Sequence, residues 1–314
     1  MSAATIGHLA AFATNLLFGL NTNITKSLFS ASWISPLGFA LTRVLFCFAA
    51  FWIIGLFFPK EKIIRKDIPV IVIAGLIGLL VAPIVFAFGI WLISPITVSI
   101  IIALNPIIVL LLSTIFLKDK ITLKKTIGVI TGISGAALVI LQNNSSSLSP
   151  NSKLGILVVL AGVFCNAGYF IIVRKIRDKY SSITLMKWMF LLPAIIVIPV
   201  AMTVLPHQKL YSPEISLIPM IQLCFALVFC SLIGYILVPV SLKRIKATTN
   251  IMYVNIQPLA AAIVAIIAGQ DSFSWDKPIA LVLILAGVFI VSRNNPEEAE
   301  NAKSTNKKTE TESY

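Results

Sequence analysis

The chain has 314 residues, of which 58% are hydrophobic and only 12% charged, about half the charged share of a soluble domain. A soluble core of this size cannot hide so much apolar sequence, so the expected partner is a lipid bilayer. The net charge of +13 would suggest nucleic acid in a soluble protein, but the basic residues sit in short blocks between apolar runs, as in cytoplasmic loops, and no nucleic-acid partner is expected.

A helix needs about 20 apolar residues to cross a bilayer, and ten stretches meet this. The first, 5–26, runs past signal-peptide length and holds Asn15, Asn21 and Asn23, so it reads as a retained helix. The second, 33–58, carries Arg43. The third and fourth, 68–90 and 95–117, are separated only by Ser94-Pro95, where proline ends a helix. The fifth is 126–142. A polar, serine-rich linker, 143–153, follows. The remaining five are 154–174, 182–205, 217–240, 248–268 and 277–293. The tail, 294–314, is polar and charged, and is expected to be disordered and cytoplasmic.

The loops test this count. Base is concentrated after the second helix (Lys60, Lys62, Arg65, Lys66), the fourth (Lys118, Lys120, Lys124, Lys125), the sixth (Arg174, Lys175, Arg177, Lys179) and the eighth (Lys243, Arg244, Lys246). The alternate loops are nearly free of it. This alternation predicts ten crossings with both termini inside.

The linker divides the chain into residues 1–142 and 154–293, and the halves resemble each other. At an offset of 152 residues, Asn105-Pro106 falls on Gln257-Pro258, and Asp119, Lys125 and Gly135 fall on Asp271, Lys277 and Gly287. A unit of five helices enters the membrane from opposite sides in its two copies. The expected fold is therefore all-α, with ten transmembrane helices as two inverted five-helix repeats. Such repeats suit alternating access around a central site.

These features together resemble the EamA-type family of the drug/metabolite transporter superfamily. The resemblance rests on the paired Asn105-Pro106 and Gln257-Pro258, the lysine-rich loop from Lys118 to Lys125 with Gly128, Gly132 and Gly135 behind it, Phe18-Gly19 before Lys26, Asn166-Ala167 before Arg174, and Arg43. It covers about residues 5–293. It implies efflux or exchange of small metabolites, amino acids or drug-like compounds across the plasma (inner) membrane. It also implies a cavity lined by helices one to four and six to nine. Phe18 stands where many relatives carry tryptophan.

Arg43 is the sharpest candidate for substrate binding. A central arginine costs about 2.5–3.5 kcal/mol on insertion scales, and no Asp or Glu lies deep in any predicted helix to offset it. It is expected either to attract an anionic substrate group or to be satisfied by backbone carbonyls. Asn15, Thr22, Asn105, Asn166, Tyr169, Asn250, Tyr253 and Gln257 are the further candidates. They should point away from lipid, as cavity lining or as hydrogen-bonding glue between helices. Lys187, a turn inside the seventh helix, is expected to snorkel to water. Gly128, Gly132 and Gly135 have small-residue spacing for close helix packing, with a homodimer contact as the alternative.

Enzyme chemistry is not expected. His8 and His207 are the only histidines, and Cys47, Cys165, Cys224 and Cys230 form no C-x-x-C pair, so neither a metal site nor a cofactor is foreseen. No P-loop is present to use ATP. A receptor or scaffold is the alternative to a transporter, but the loops are short for engaging partners.

Overall fold

The computed structural model describes residues 3–59, 61–117, 123–142, 151–176, 179–212, 216–242, 244–245, 253–254, 256–270 and 274–292. Most of the expected linker (143–150), the tail from 294, and Asp119, Thr249, Asn250, Asn255 and Asp271 lie outside them. Helix dominates the described residues, and it occupies part of each of the ten predicted stretches. The elements are α1 (Ala3–Ser30), α2 (Pro36–Ile54), α3 (Ile68–Ala74), α4 (Ala82–Leu92), α5 (Pro95–Ile102), α6 (Asn105–Leu117), α7 (Leu123–Gln142), α8 (Asn151–Arg174), α9 (Ser182–Met189), α10 (Leu191–Val204), α11 (Leu217–Phe225), α12 (Gly234–Leu242), α13 (Ile256–Ile267) and α14 (Asp276–Ser292).

Six helical spans among these residues are long and apolar enough to cross a membrane: Pro36–Ile54, Arg65–Leu92, Pro95–Phe116, Lys153–Val173, Ser182–His207 and Leu217–Val238. Shorter apolar helices are Thr126–Gly135, Ile256–Ile267 and Pro278–Gly287.

The spans are less regular than the sequence predicts, and proline accounts for two of the breaks. The fourth stretch divides before Asn105-Pro106, because Pro106 has no N–H for the Ile102 carbonyl. The seventh divides at Phe190, since Pro193 leaves the Met189 carbonyl without its helical donor. Gly75 closes on that carbonyl, where a Cβ would collide with it. At Ser94-Pro95 the Ser94 hydroxyl caps α5 by accepting from the Thr97 N–H at 3.3 Å.

Two π-helical segments join α3 to α4 (Gly75–Val81) and α11 to α12 (Ala226–Ile233). At the 152-residue offset the first falls inside the second. The contacts show a matching exchange. Helix α1 packs on α12 and α13, while α8 packs on α4 and α6; α2 packs on α10, and α7 on α14. Each pair joins the first half of the chain to the second. The α7–α14 contact absorbs the glycines: a Cβ on Gly287 would strike Gly128 and Gly132, and one on Gly135 would strike Ala280. The close-packing motif is thus used within the chain.

Helices α2 and α9–α10 run antiparallel, and loops tie them together at both ends. At the α2 N-terminus the Leu210 N–H donates to the Trp33 carbonyl (2.9 Å) and the Ser35 N–H to Gln208 Oε1 (2.7 Å). There the Lys209 ammonium lies 4.4 Å from the Trp33 ring centre, and Thr42 and Tyr211 share a hydroxyl bond of 2.8 Å. At the other end Lys179 donates to both Asp67 oxygens (3.0 and 3.1 Å), the Tyr180 hydroxyl donates to Asp67 Oδ2 (2.9 Å), and the Ile64 N–H donates to that hydroxyl (3.0 Å). The Ser181 N–H donates to Glu61 Oε2 at 2.9 Å.

Candidate functional site

Between these two ends lies the Arg43 centre. Pro36 at the first turn and the Ser35 hydroxyl, which accepts from the Gly38 N–H at 3.0 Å, start α2 at a fixed point. Arg43 is its eighth residue, about 11 Å along at 1.5 Å per residue. Its Nη2 donates to the Tyr235 hydroxyl at 2.9 Å, and its guanidinium carbon lies 5.5 Å from the Tyr235 ring centre. The Tyr235 ring meets Phe190 edge-on at 6.0 Å, and Phe190 stacks on Phe51 at 5.8 Å. Cys47, one turn beyond Arg43 on α2, and Cys230, five residues before Tyr235, are both fully buried.

Among the described residues no carboxylate pairs with Arg43. A guanidinium carries five N–H donors, and one phenol uses one of them. The centre is therefore cationic, lined by aromatic faces, and suited to an anionic group. Sequence reasoning found Arg43 but missed Tyr235. Its available signal was a lone phenol in the apolar stretch 217–240; the structure sets it two residues beyond the π-helical Ala226–Ile233, and turns of this kind occur often at functional sites.

The other predicted residues divide between two places. Tyr169 is buried on α8, where its ring fills the space left by Gly78 in the first π-helical segment. Asn166 is half-buried one turn earlier on the same helix. Asn15, Tyr253 and Gln257 instead join α1 to the α13 region. Gln257 Nε2 donates to Asn15 Oδ1 at 2.7 Å, Asn15 Nδ2 donates to the Ala11 carbonyl at 2.8 Å, and His8 and Tyr253 pair at 3.0 Å. Asn23 extends this seam, donating to the Ala261 carbonyl at 3.1 Å. Thr22 bonds back to the Phe18 carbonyl of its own helix at 3.3 Å. Asn105 Oδ1 is buried and has no hydrogen-bond partner among the described residues. Asn250 lies outside them.

Lys187 places its ammonium 4.2 Å from the Trp52 ring centre, beside Trp188. An apolar groove of about 390 Å³ opens between α2 and α10 over Leu45, Ile198, Met202 and Tyr211. Its walls offer almost nothing polar, so the cationic chemistry belongs to the Arg43 centre instead. Burial raises the Tyr211 phenol above its ordinary range.

Apolar spans arranged around a half-buried cationic centre define a multi-pass membrane protein. The EamA-like transporter family model matches residues 5–141 and again 153–293, and the chain belongs to that family. It is 26% identical over 290 residues to the uncharacterized transporter YyaM of Bacillus subtilis, covering 91% of this chain and 94% of YyaM. It is 28% identical over 273 residues to an uncharacterized transporter of Archaeoglobus fulgidus, covering 84% of this chain and 91% of that one. A protein of Streptantibioticus cattleyicolor described as a probable terminal-alkyne amino-acid exporter is 22% identical over 235 residues, covering 73% of this chain and 74% of its own. A known crystal structure shares the fold, with a TM-score of 0.60, 17% identity, and coverage of 90% of this chain and 95% of that one. Membrane transport of small molecules is thus the activity of the family to which the chain belongs.

Proposed function

We propose that this protein is a secondary transporter that exports or exchanges small metabolites bearing a carboxylate or similar anionic group, amino acids among them. One observation carries the reading: Arg43 sits half-buried between the halves with a phenol as partner and no carboxylate among the described residues. Such a charge is costly to retain in a membrane unless something uses it. The substrate anion binds Arg43, with Tyr235, Phe190 and Tyr169 as aromatic walls; Asn105 on α6 and Asn166 on α8 are the further polar groups we assign to it. The name of the Streptantibioticus relative supports amino-acid export as a class.

The architecture we infer is ten crossings in two inverted five-helix repeats, 1–142 and 154–293, working by alternating access. Three findings support it: the paired family matches, the coincident π-helical segments and the exchanged helix contacts. The alternating basic loops support termini on the cytoplasmic side of the plasma membrane, with the Asp67 end facing in. The activity needs no enzyme chemistry and no cofactor.

The test is uptake and counterflow in proteoliposomes with panels of amino acids, sugar phosphates and cationic drugs. Flux confined to anionic or zwitterionic solutes, lost in Arg43→Gln, is expected. A profile of cations alone would overturn the reading.

A further inference from the structure

The two ends of the α2/α9–α10 pair are tied by equivalent loops. In each case the loop entering the second helix of one half meets the loop leaving the second helix of the other. At the first end, residues 31–35 meet 205–212; at the second, residues 179–181 meet 61–67. The ties lie at opposite ends of a 19-residue helix, about 28 Å apart, and Arg43 lies between them. A solute reaching Arg43 from either side along this pair must pass one tie.

The ties differ in chemistry. The first uses neutral hydrogen bonds and one cation–aromatic contact, Lys209 on Trp33. The second centres on the Asp67 carboxylate, buried and held by both Lys179 and Tyr180. Charge-assisted hydrogen bonds are about twice as strong as neutral ones. Tyr180 also bridges, donating to Asp67 while accepting from the Ile64 N–H, so loss of the carboxylate loosens the whole loop.

We propose that these ties, both made in this structure, are paired gates, and that the Asp67–Lys179–Tyr180 lock is the stronger of the two, so that the empty protein opens to the Gln208 side more readily than to the Asp67 side. This rests on the transport reading, since gates matter only if a solute passes. Substrate at Arg43 then has to pull α2 and α9–α10 into an arrangement that opens the stronger lock. A ligand achieves this only through its different affinity for the two states.

Cys47, one turn beyond Arg43 on α2, and Cys230, five residues before Tyr235, are buried, so they report on access without a known substrate. In a Cys165→Ser, Cys224→Ser background, a charged, membrane-impermeant methanethiosulfonate is applied to one face of oriented proteoliposomes. With both gates intact, labelling is expected to be faster from the Gln208 face. Asp67→Asn should raise labelling from the Asp67 face on the order of fivefold, the low end of coupling between sites, and leave the other face unchanged. Lys179→Gln, which spares the Tyr180 bond, should act in the same direction more weakly. The exchange Asp67→Lys with Lys179→Asp should bring labelling back down.

Unchanged labelling in Asp67→Asn, or an equal rise from both faces, overturns the gate. So does faster labelling from the Asp67 face before any change there. If labelling obeys the gate but no solute in the panels is carried, the transport reading fails and the lock stands as a conformational device.

Discussion

Arg43 donates to the Tyr235 hydroxyl at 2.9 Å, and this single bond joins a helix of the first half to a helix of the second. The guanidinium is thereby aimed, and among the described residues no partner is seen for its other four donors. Replacing Arg43 with Gln removes the charge from a site that has no other among the described residues. Flux of an anionic solute should fall at least about tenfold, the equivalent of 1.4 kcal/mol, while thermal unfolding in detergent stays within a few degrees of the parent. Lysine should restore little, because it lacks the planar fork. Tyr235→Phe keeps the ring under the guanidinium but loses the aiming bond, so KM should rise several-fold with less change in kcat. An Arg43→Gln protein that is folded and fully active would refute the binding role.

The Asn15–Gln257 bridge makes the opposite prediction. Both amides were candidates for substrate contact, yet they face each other at 2.7 Å across α1 and α13. Hydrogen bonds of this kind between membrane helices contribute about 0.6 kcal/mol and rarely above 1.7 kcal/mol. A double-mutant cycle with Asn15→Ala and Gln257→Leu should return a coupling in that range from unfolding midpoints. KM in the proteoliposome assay should not move. A KM shift in Gln257→Leu larger than in Arg43→Gln would return these amides to the binding site.

Much of this was legible from composition and spacing. Ten helical stretches, the break at Ser94-Pro95 and the isolated charge at Arg43 follow from hydropathy, proline and the cost of burial. The pairing of polar residues did not follow. Periodicity places Asn15 and Gln257 away from lipid, but whether an inward amide meets a solute or another amide depends on which helices are neighbours. The 152-residue offset matched Asn105 to Gln257, yet the structure treats them differently. Position 15 is Asn, which Gln257 can reach, whereas the matched position 167 is Ala, and Asn105 Oδ1 has no partner among the described residues. The π-helical segments were also invisible, because a one-residue shift in hydrogen bonding leaves the hydrophobic pattern nearly unchanged.

Gly78 offers a test of how tightly the first π-helical segment is held. Its missing side chain is the space that the buried Tyr169 ring occupies. A methyl group there must displace the ring or the helix, and overpacking of this kind costs about 1–3 kcal/mol. Gly78→Ala should lower the unfolding midpoint and also impair flux, because the Tyr169 wall moves. Tyr169→Ala in the same chain should recover part of the lost stability by vacating the space, without recovering flux. If Gly78→Ala is neutral in both measurements, the ring does not sit against this helix in the membrane.

Gly287 tests what the small-residue faces of α7 and α14 are for. In this fold they meet each other, with Gly287 set against Gly128 and Gly132. Close approach of this type relies on packing rather than on exclusion of water, so a β-branched side chain has nowhere to go. Gly287→Val should separate the two helices and lower stability by about 1–3 kcal/mol. The mass of the detergent-solubilised particle, measured by light scattering, should not change, since the motif is used inside one chain. Conversion of a dimer to a monomer by this one substitution would mean that the glycines also serve a contact between copies, and the α7–α14 packing would then have to be reassigned.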